Sequence, residues 1–226
     1  MTGPVRLDLH VHSAHSPDSS LRLEEIVGYL PRTGLRGFAL TDHNTVAGHR
    51  ELALLAARHP EFLLLPGVEV STLEGHLLVY GVGELPPIHR PVAETIAWAR
   101  EHGGTPVLAH PFRLSHGVGR AISRQARVPA VEVVNGHTSA RANASARRVA
   151  ADRKLGVTGG SDVHVARDLG RAYTDFPASA STPRELLDAL ASGLTSAGGR
   201  SLTWSGRLRV GARTFGLLAC RGFRPI

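Results

Sequence analysis

Val5-Arg6-Leu7-Asp8-Leu9-His10-Val11-His12 alternates polar and apolar side chains near the start of the chain. A period of two reads as a β-strand over residues 5–11, and it predicts Asp8, His10 and His12 on one face. Outward from this stretch, strand-like runs follow at 36–41, 62–70, 76–82, 105–109, 130–135, 156–160 and 171–176. Helix-like stretches fall between or after them at 21–30, 45–58, 91–102, 139–154 and 183–191. Pro91 and Pro183 suit the first turn of a helix, where the missing N–H costs nothing. The alternation predicts an α/β fold with a largely parallel sheet, open or closed into a barrel.

At 226 residues the chain can bury one sizeable core. The net charge is +7, but it is local. Arg200, Arg207, Arg209, Arg213, Arg221 and Arg224 lie in the last thirty residues, where there is no acid. Without those six, 20 basic residues face 19 acidic ones. Lys154 is the only lysine, a bias that points to codon composition rather than to a nucleic-acid-binding face. The sequence therefore divides into a body, 1–195, and a basic C-terminal extension, 196–226, packed on the same domain. Apolar stretches at 202–204, 208–210 and 214–220 predict a terminal hairpin or edge strands. One cysteine, Cys220, excludes an internal disulfide framework. No stretch approaches the roughly 18 apolar residues that span a bilayer. A cytoplasmic location with no membrane partner is expected.

The chemistry shows in where histidines and acids fall. Asp18 follows the first strand in a Ser-Pro-Asp-Ser turn. Asp42 and His43 end the second strand, and Glu69 lies near the end of the third. His76 begins the fourth, and His110 follows the fifth. Glu132 and Asn135 end the sixth. Asp162 and His164 follow Gly159-Gly160 after the seventh. Most sit at C-terminal strand ends, the edge that carries active sites in parallel α/β folds. Imidazole and carboxylate together suit Zn, Mn or Fe rather than a thiolate-loving ion. A lone His-x-His pair would be weak grounds; ligand-type residues at six successive strand ends are not.

The strings Asp8-Leu-His10-Val-His12, Thr41-Asp42-His43-Asn44, Gly67-Val-Glu69, Ala109-His110-Pro111 and Gly160-Ser-Asp162-Val-His164 resemble the motifs of PHP (polymerase and histidinol phosphatase) domains in order and spacing. The resemblance runs from about residue 5 to residue 195. It implies a distorted seven-stranded (β/α) barrel with up to three divalent metal ions (Mn, Fe or Zn) at its mouth. By that resemblance His10, His12, Glu69 and Asp162 hold one metal. Glu69 bridges to a second, completed by His76 and His110, and Asp18, His43 and His164 hold the third. The middle of the chain lacks the longer insertion that the family often carries.

Three divalent ions would bring about +6, of which Asp18, Glu69 and Asp162 return about −3. Such a pocket prefers an anionic substrate, and bound metal gives hydroxide near neutral pH. The expected activity is hydrolysis of a phosphate ester on a phosphorylated small molecule or nucleotide, with Glu69, Asp162 and Arg113 at the reacting centre. Arg113 is expected to clamp the phosphate with its guanidinium fork; Arg171 is a further candidate. A nuclease acting on short nucleic acid is the nearer alternative. An amidohydrolase is the other, but its bridging lysine would have to be Lys154, on a helix away from the strand ends. His15, His116 and His137 lie in loops near the predicted mouth as candidates to protonate a leaving group. Asp42 is expected to orient His43 or, with Asn44, to cap the following helix, and Glu132 and Asn135 to support the pocket wall. His49, His59, His89 and His102 read as structural. Oligomeric state leaves no mark in the sequence.

Overall fold

The computed structural model describes residues 3–220. Four strand-plus-helix units open the chain: β1 (Val5–Val11) and α1 (Leu23–Tyr29), β2 (Gly37–Leu40) and α2 (His49–Arg58), β3 (Leu63–Ser71), β4 (His76–Tyr80) and α3 (Val92–Glu101), then β5 (Thr105–Leu108) and α4 (Gly119–Gln125). They are followed by β6 (Ala130–Asn135), α5 (Ala140–Arg153), β7 (Gly156–Gly160), β8 (Ala172–Phe176), α6 (Pro183–Ala191), β9 (Ser196–Gly199) and α7 (Trp204–Cys220). Local chemistry sets several boundaries. Ser139 caps α5 by accepting from the Ala142 N–H at 3.2 Å. Thr182 and Glu185 cap α6 reciprocally, with Pro183 in its first turn.

The sheet has nine strands in the order β7-β6-β5-β4-β3-β2-β1-β8-β9. β1 to β7 are the seven strands that the resemblance implies, and β8 and β9 extend the β1 side as antiparallel neighbours. The sheet curls until the end of β7 meets β1. Just past β7, the Asp162 N–H donates to the His10 carbonyl at 2.8 Å, and the His12 N–H reaches the Val163 carbonyl at 3.3 Å. Glycine makes this seam. A Cβ on Gly160 would stand 2.3 Å from the His10 Cβ, and one on Gly159 2.4 Å from the Tyr173 carbonyl oxygen. Either distance is impossible for any other residue without moving a strand.

Three expectations change. β4 runs antiparallel to both β3 and β5, so its first residue lies at the edge where the parallel strands end. That is why His76, at the start of a strand, joins residues at the ends of others. Next, Asp8 does not share a face with His10 and His12. The β1–β2 register shifts between Asp8 and Val11, and a bulge re-aims the side chains beyond it. Leu7 and Leu9 accordingly pack in one apolar cluster, with Tyr80, Val107 and Leu186, whereas Val11 packs in another with Phe38 and Val163. Lastly, the described residues of the tail form no hairpin. β9 is an edge strand, and 204–220 is helical. Thr203 Oγ1 accepts from the Gly206 N–H at 3.2 Å, a helix cap, and Leu202, Gly206 and Val210 are buried at a spacing of four. Arg221 and Arg224 lie outside the described residues, as do the side chains of Arg207, Arg209 and Arg213. α4 is an addition, in a stretch that carries no clear periodicity. No described helix is long and apolar enough to cross a membrane.

Candidate metal centre

The strand ends deliver Asp18, His10, His12, His43, Glu69, His76, His110, Asp162 and His164 to one buried cluster. Glu69, 1 % exposed, is at its centre. One of its oxygens lies 2.8 Å from His76 Nδ1 and 2.9 Å from His110 Nε2. The other lies 3.0 Å from His10 Nε2 and 3.3 Å from both His12 Nε2 and His43 Nδ1. Five imidazoles thus crowd a group with about four lone-pair sites. Burial alone would raise the Glu69 pKa, but the fields of His10, His43 and His76 hold it well below the carboxylate range.

Asp162 and Asp18 make the other two corners. Asp162 Oδ1 is 3.3 Å from His12 Nε2, and its Oδ2 accepts from Arg113 at 2.8 Å and from Asn135 Nδ2 at 3.3 Å. Asp18 Oδ2 is 2.6 Å from His164 Nε2 and 3.4 Å from His43 Nε2. Burial opposes ionisation of both acids, and the neighbouring cations and imidazoles outweigh it: His164 and His43 at Asp18, His10 and Arg113 at Asp162. Backbone strain marks the same places. His110, Asp162 and Asn44 hold φ of 24°, 58° and 51°, conformations that L-residues adopt only where the surroundings enforce them.

The donor set fits divalent cations. Five overlapping groups place one ligand atom per residue within 4.8 Å of one another: His10–His12–Glu69, His10–His110–Asp162, His12–Asp162–His164, His12–Asp18–His43 and His43–Glu69–His76. Buried atoms without a hydrogen-bond partner gather there too, among them His12 Nε2, Asp18 Oδ1, His43 Nδ1, His76 Nε2 and His110 Nδ1. Buried polar groups are rarely left orphaned, and an ion would satisfy these. Imidazole and carboxylate oxygen, with no thiolate, are borderline-to-hard ligands.

A surrounding layer aims the ligands. Glu132 Oε1 sits 3.0 Å from His10 Nδ1, which turns His10 Nε2 toward Glu69, and Glu132 Oε2 accepts from the His110 N–H at 2.8 Å. His164 Nδ1 lies 2.8 Å from the Asp162 carbonyl oxygen, so Nε2 is presented to Asp18. Asp42 does neither thing expected of it. α2 starts too far on to be capped, and both Asp42 oxygens are taken by Ser13, at 2.6 Å from its N–H and 2.7 Å from its hydroxyl. Asp42 therefore fixes the turn after His12. Asn44 is not a cap either: it exchanges two hydrogen bonds with Ser71. Asp8 anchors the seam, accepting from the Ser161 N–H at 2.8 Å, the His10 N–H at 3.2 Å and the Gly170 N–H at 3.0 Å. The bulge that gives Asp8 this role leaves no trace in the alternation of the sequence.

A cavity of about 150 Å³ opens over the cluster. Asp18, His43, His76, Asp162 and His164 floor it, and Arg113, His116 and His137 stand on its walls. Val210, Gly211 and Thr214 of α7 line it as well, a contribution that the sequence reading assigned to no site. His15 is elsewhere, 2.9 Å from Glu51. His116 stacks on His76, and His137 on His164. Burial pushes His116 down to about 4 and His137 down to about 3, so both rings are neutral at pH 7. Arg171 lines other cavities and pairs with Asp168. Lys154 is the exposed C-cap of α5, with φ 55°, and is no bridging ligand.

Residues 8–103 match the PHP domain family, and residues 140–195 match the family described as PHP-associated. The chain carries a PHP domain over residues 8–103. Its PHP fold is shared with a solved two-domain protein of Bacteroides vulgatus described as containing a predicted PHP-like metal-dependent phosphoesterase (TM-score 0.69, 21 % identity, 94 % of this chain and 69 % of that one). PsfC of Pseudomonas syringae superposes at a TM-score of 0.72 with 19 % identity, over 96 % of this chain and 99 % of PsfC. An amidohydrolase of Chromobacterium violaceum with bound sulfate and no metal gives 0.63 at 21 % identity, over 81 % and 96 %. In sequence, the uncharacterized protein MJ1587 of Methanocaldococcus jannaschii is 29 % identical over 118 residues, 48 % of this PHP chain and 68 % of MJ1587.

Proposed function

We propose that this PHP chain is a metal-dependent phosphoesterase that hydrolyses a phosphomonoester of a small molecule or nucleotide. The observation that carries the reading is the convergence of three buried carboxylates and six imidazoles in one cluster beneath a small cavity walled by Arg113. In this reading His10, His12, Glu69 and Asp162 hold one divalent ion, Glu69 with His76 and His110 a second, and Asp18, His43 and His164 a third. Bound Mn, Fe or Zn would supply Lewis acidity toward phosphoryl oxygens and lower the pKa of coordinated water toward 7. The chain does the rest. Glu69 holds two ligand groups at fixed separation. Arg113, oriented by Asp162 and partly exposed to the cavity, presents its remaining N–H groups to the phosphate. The neutral rings of His116 and His137 stand beside the place left for the ester oxygen.

The cavity is small and α7 lines part of it, which favours a monoester over a nucleic-acid strand. The Chromobacterium violaceum neighbour binds sulfate, a tetrahedral dianion similar in shape to a phosphoryl group. The test is phosphate release from sugar phosphates, mononucleotides, nucleoside bisphosphates and short oligonucleotides, using protein stripped and then reconstituted separately with Mn, Zn and Fe(II). Metal-dependent release from monoesters is the expected outcome. Turnover that rises strongly with oligonucleotide length would make it a nuclease, and cleavage of amides or lactones with silence on every phosphate ester would overturn the reading.

Arg113→Ala checks the clamp. Losing a charge-assisted fork of roughly 1.5–3 kcal/mol should lower kcat/KM by roughly 10- to 100-fold, with metal content kept. A variant that loses metal in proportion to activity would show that Arg113 acts only by steadying Asp162.

A further inference from the structure

A second group of arginines lies away from the metal cluster. An open cavity of about 560 Å³ runs between the turn Leu30–Arg32 and the β8–β9 pair. Arg32, Arg167, Arg171 and Arg200 line it, with Tyr29 and Tyr173. No carboxylate is among its described lining residues. Asp168 takes Arg171, through Nε at 3.2 Å and one terminal nitrogen at 2.8 Å. Arg32 lies 5.5 Å from the centroid of the Tyr29 ring. Arg167 and Arg200 are exposed and have no carboxylate at ion-pair distance among the described residues.

The four guanidinium groups come from three separate stretches of chain, so no single helix or charge run explains their meeting. Like charges gathered round a concave wall repel one another, and an anion seated between them relieves that cost. Each planar fork can grip a pair of phosphoryl oxygens. Arg32 comes from a different stretch of chain than Arg167, Arg171 and Arg200, so an anion with more than one phosphoryl group can offer each stretch its own oxygens. We propose that this basin binds a small oligophosphate anion, with two or more linked phosphoryl groups, at a site separate from the metal centre.

The two sites share a loop. Asp162 and His164 stand at one end of it, and Arg167 and Arg171 at the other. Arg167 and Arg171 also line a neighbouring cavity of about 280 Å³ that reaches Val210, and Val210 lines the metal cavity. The Gly170 N–H at the rim of the basin donates to Asp8, which holds the backbone of His10 and Ser161. The basin itself depends on no assumption about the reaction.

The probe is inorganic triphosphate, titrated calorimetrically into the metal-loaded protein at low ionic strength, with bound metal measured after each run. Arg167→Ala/Arg200→Ala removes two basin charges. Arg22→Ala/Arg184→Ala removes two exposed charges elsewhere and controls for net charge. The basin variant should bind about tenfold more weakly or worse, with unchanged metal content, and the control should bind like the parent. Arg32→Glu, on the opposite wall, should weaken binding as well, which covers the case where the double variant misfolds. Added salt should weaken binding in the parent. Equal affinity in the basin and control variants overturns the proposal. So does tight binding of a ten-nucleotide single strand, lost in the basin variant, where triphosphate does not bind: that result would make the basin a nucleic-acid surface.

Discussion

Glu69→Gln is expected to give a folded protein that holds fewer divalent ions and turns over phosphate esters at least roughly 10²–10³-fold more slowly. The side chain is the same size, so packing is kept. What changes is charge and donor count. Glu69 lies within 3.3 Å of five imidazoles. An amide there brings an NH₂ group that can accept nothing and leaves no anion to hold two cations close together. Elemental analysis for bound metal and steady-state turnover on the same preparation measure the effect, with circular dichroism as the check on folding. Near-normal turnover at full occupancy would remove Glu69 from the bridging position.

Stripping the ions should cost the protein much of its heat resistance. A ligand at a thousand times its Kd stabilises the folded state by about 4 kcal/mol per site. In a domain of this size, each kcal/mol moves Tm by roughly 2–4 °C. One saturated site is therefore worth roughly 10 °C, and further sites add to that. The ligands are far apart in the chain: His164 and Asp18 are 146 residues apart, His10 and Glu69 59. A cation there ties distant segments together. Calorimetry with chelator, then with Mn or Zn added back, gives the number. A Tm indifferent to both would mean that the cluster holds itself together without ions, and the metal assignment would fail.

The site was more legible in the sequence than its surroundings were. Ligand-type residues announce themselves because they recur where strands end, and the apolar runs locate strand ends well. β1, β6, β7 and α6 fall where the pattern puts them. The direction of β4 is not in the pattern, since an antiparallel and a parallel strand can share one composition. His76 is found anyway, because its residue type and neighbours mark it. The roles of Asp8 and Asp42 are lost for a different reason. Both are decided largely by backbone N–H groups of other segments, Ser161 and Gly170 for the first and Ser13, with its hydroxyl, for the second. A backbone N–H carries no side-chain signature. The tail is misread because Leu202, Gly206 and Val210 look like scattered apolar residues until glycine is counted as part of the buried face.

The glycine seam bears on how such a centre can change. The spacing between the β1 ligands and Asp162 is gauged by one absent methyl group, at Gly160, which lies against His10, while Gly159 does the same for β7 against β8. The loops at the mouth do not set it. Loops can lengthen, shorten or be exchanged, and substrate preference can drift with them, while the inter-ligand distances stay as the strands leave them. A single methyl at residue 160 would do what whole-loop replacement does not: push β1 and the Asp162 turn apart and detune every ligand pair that spans them.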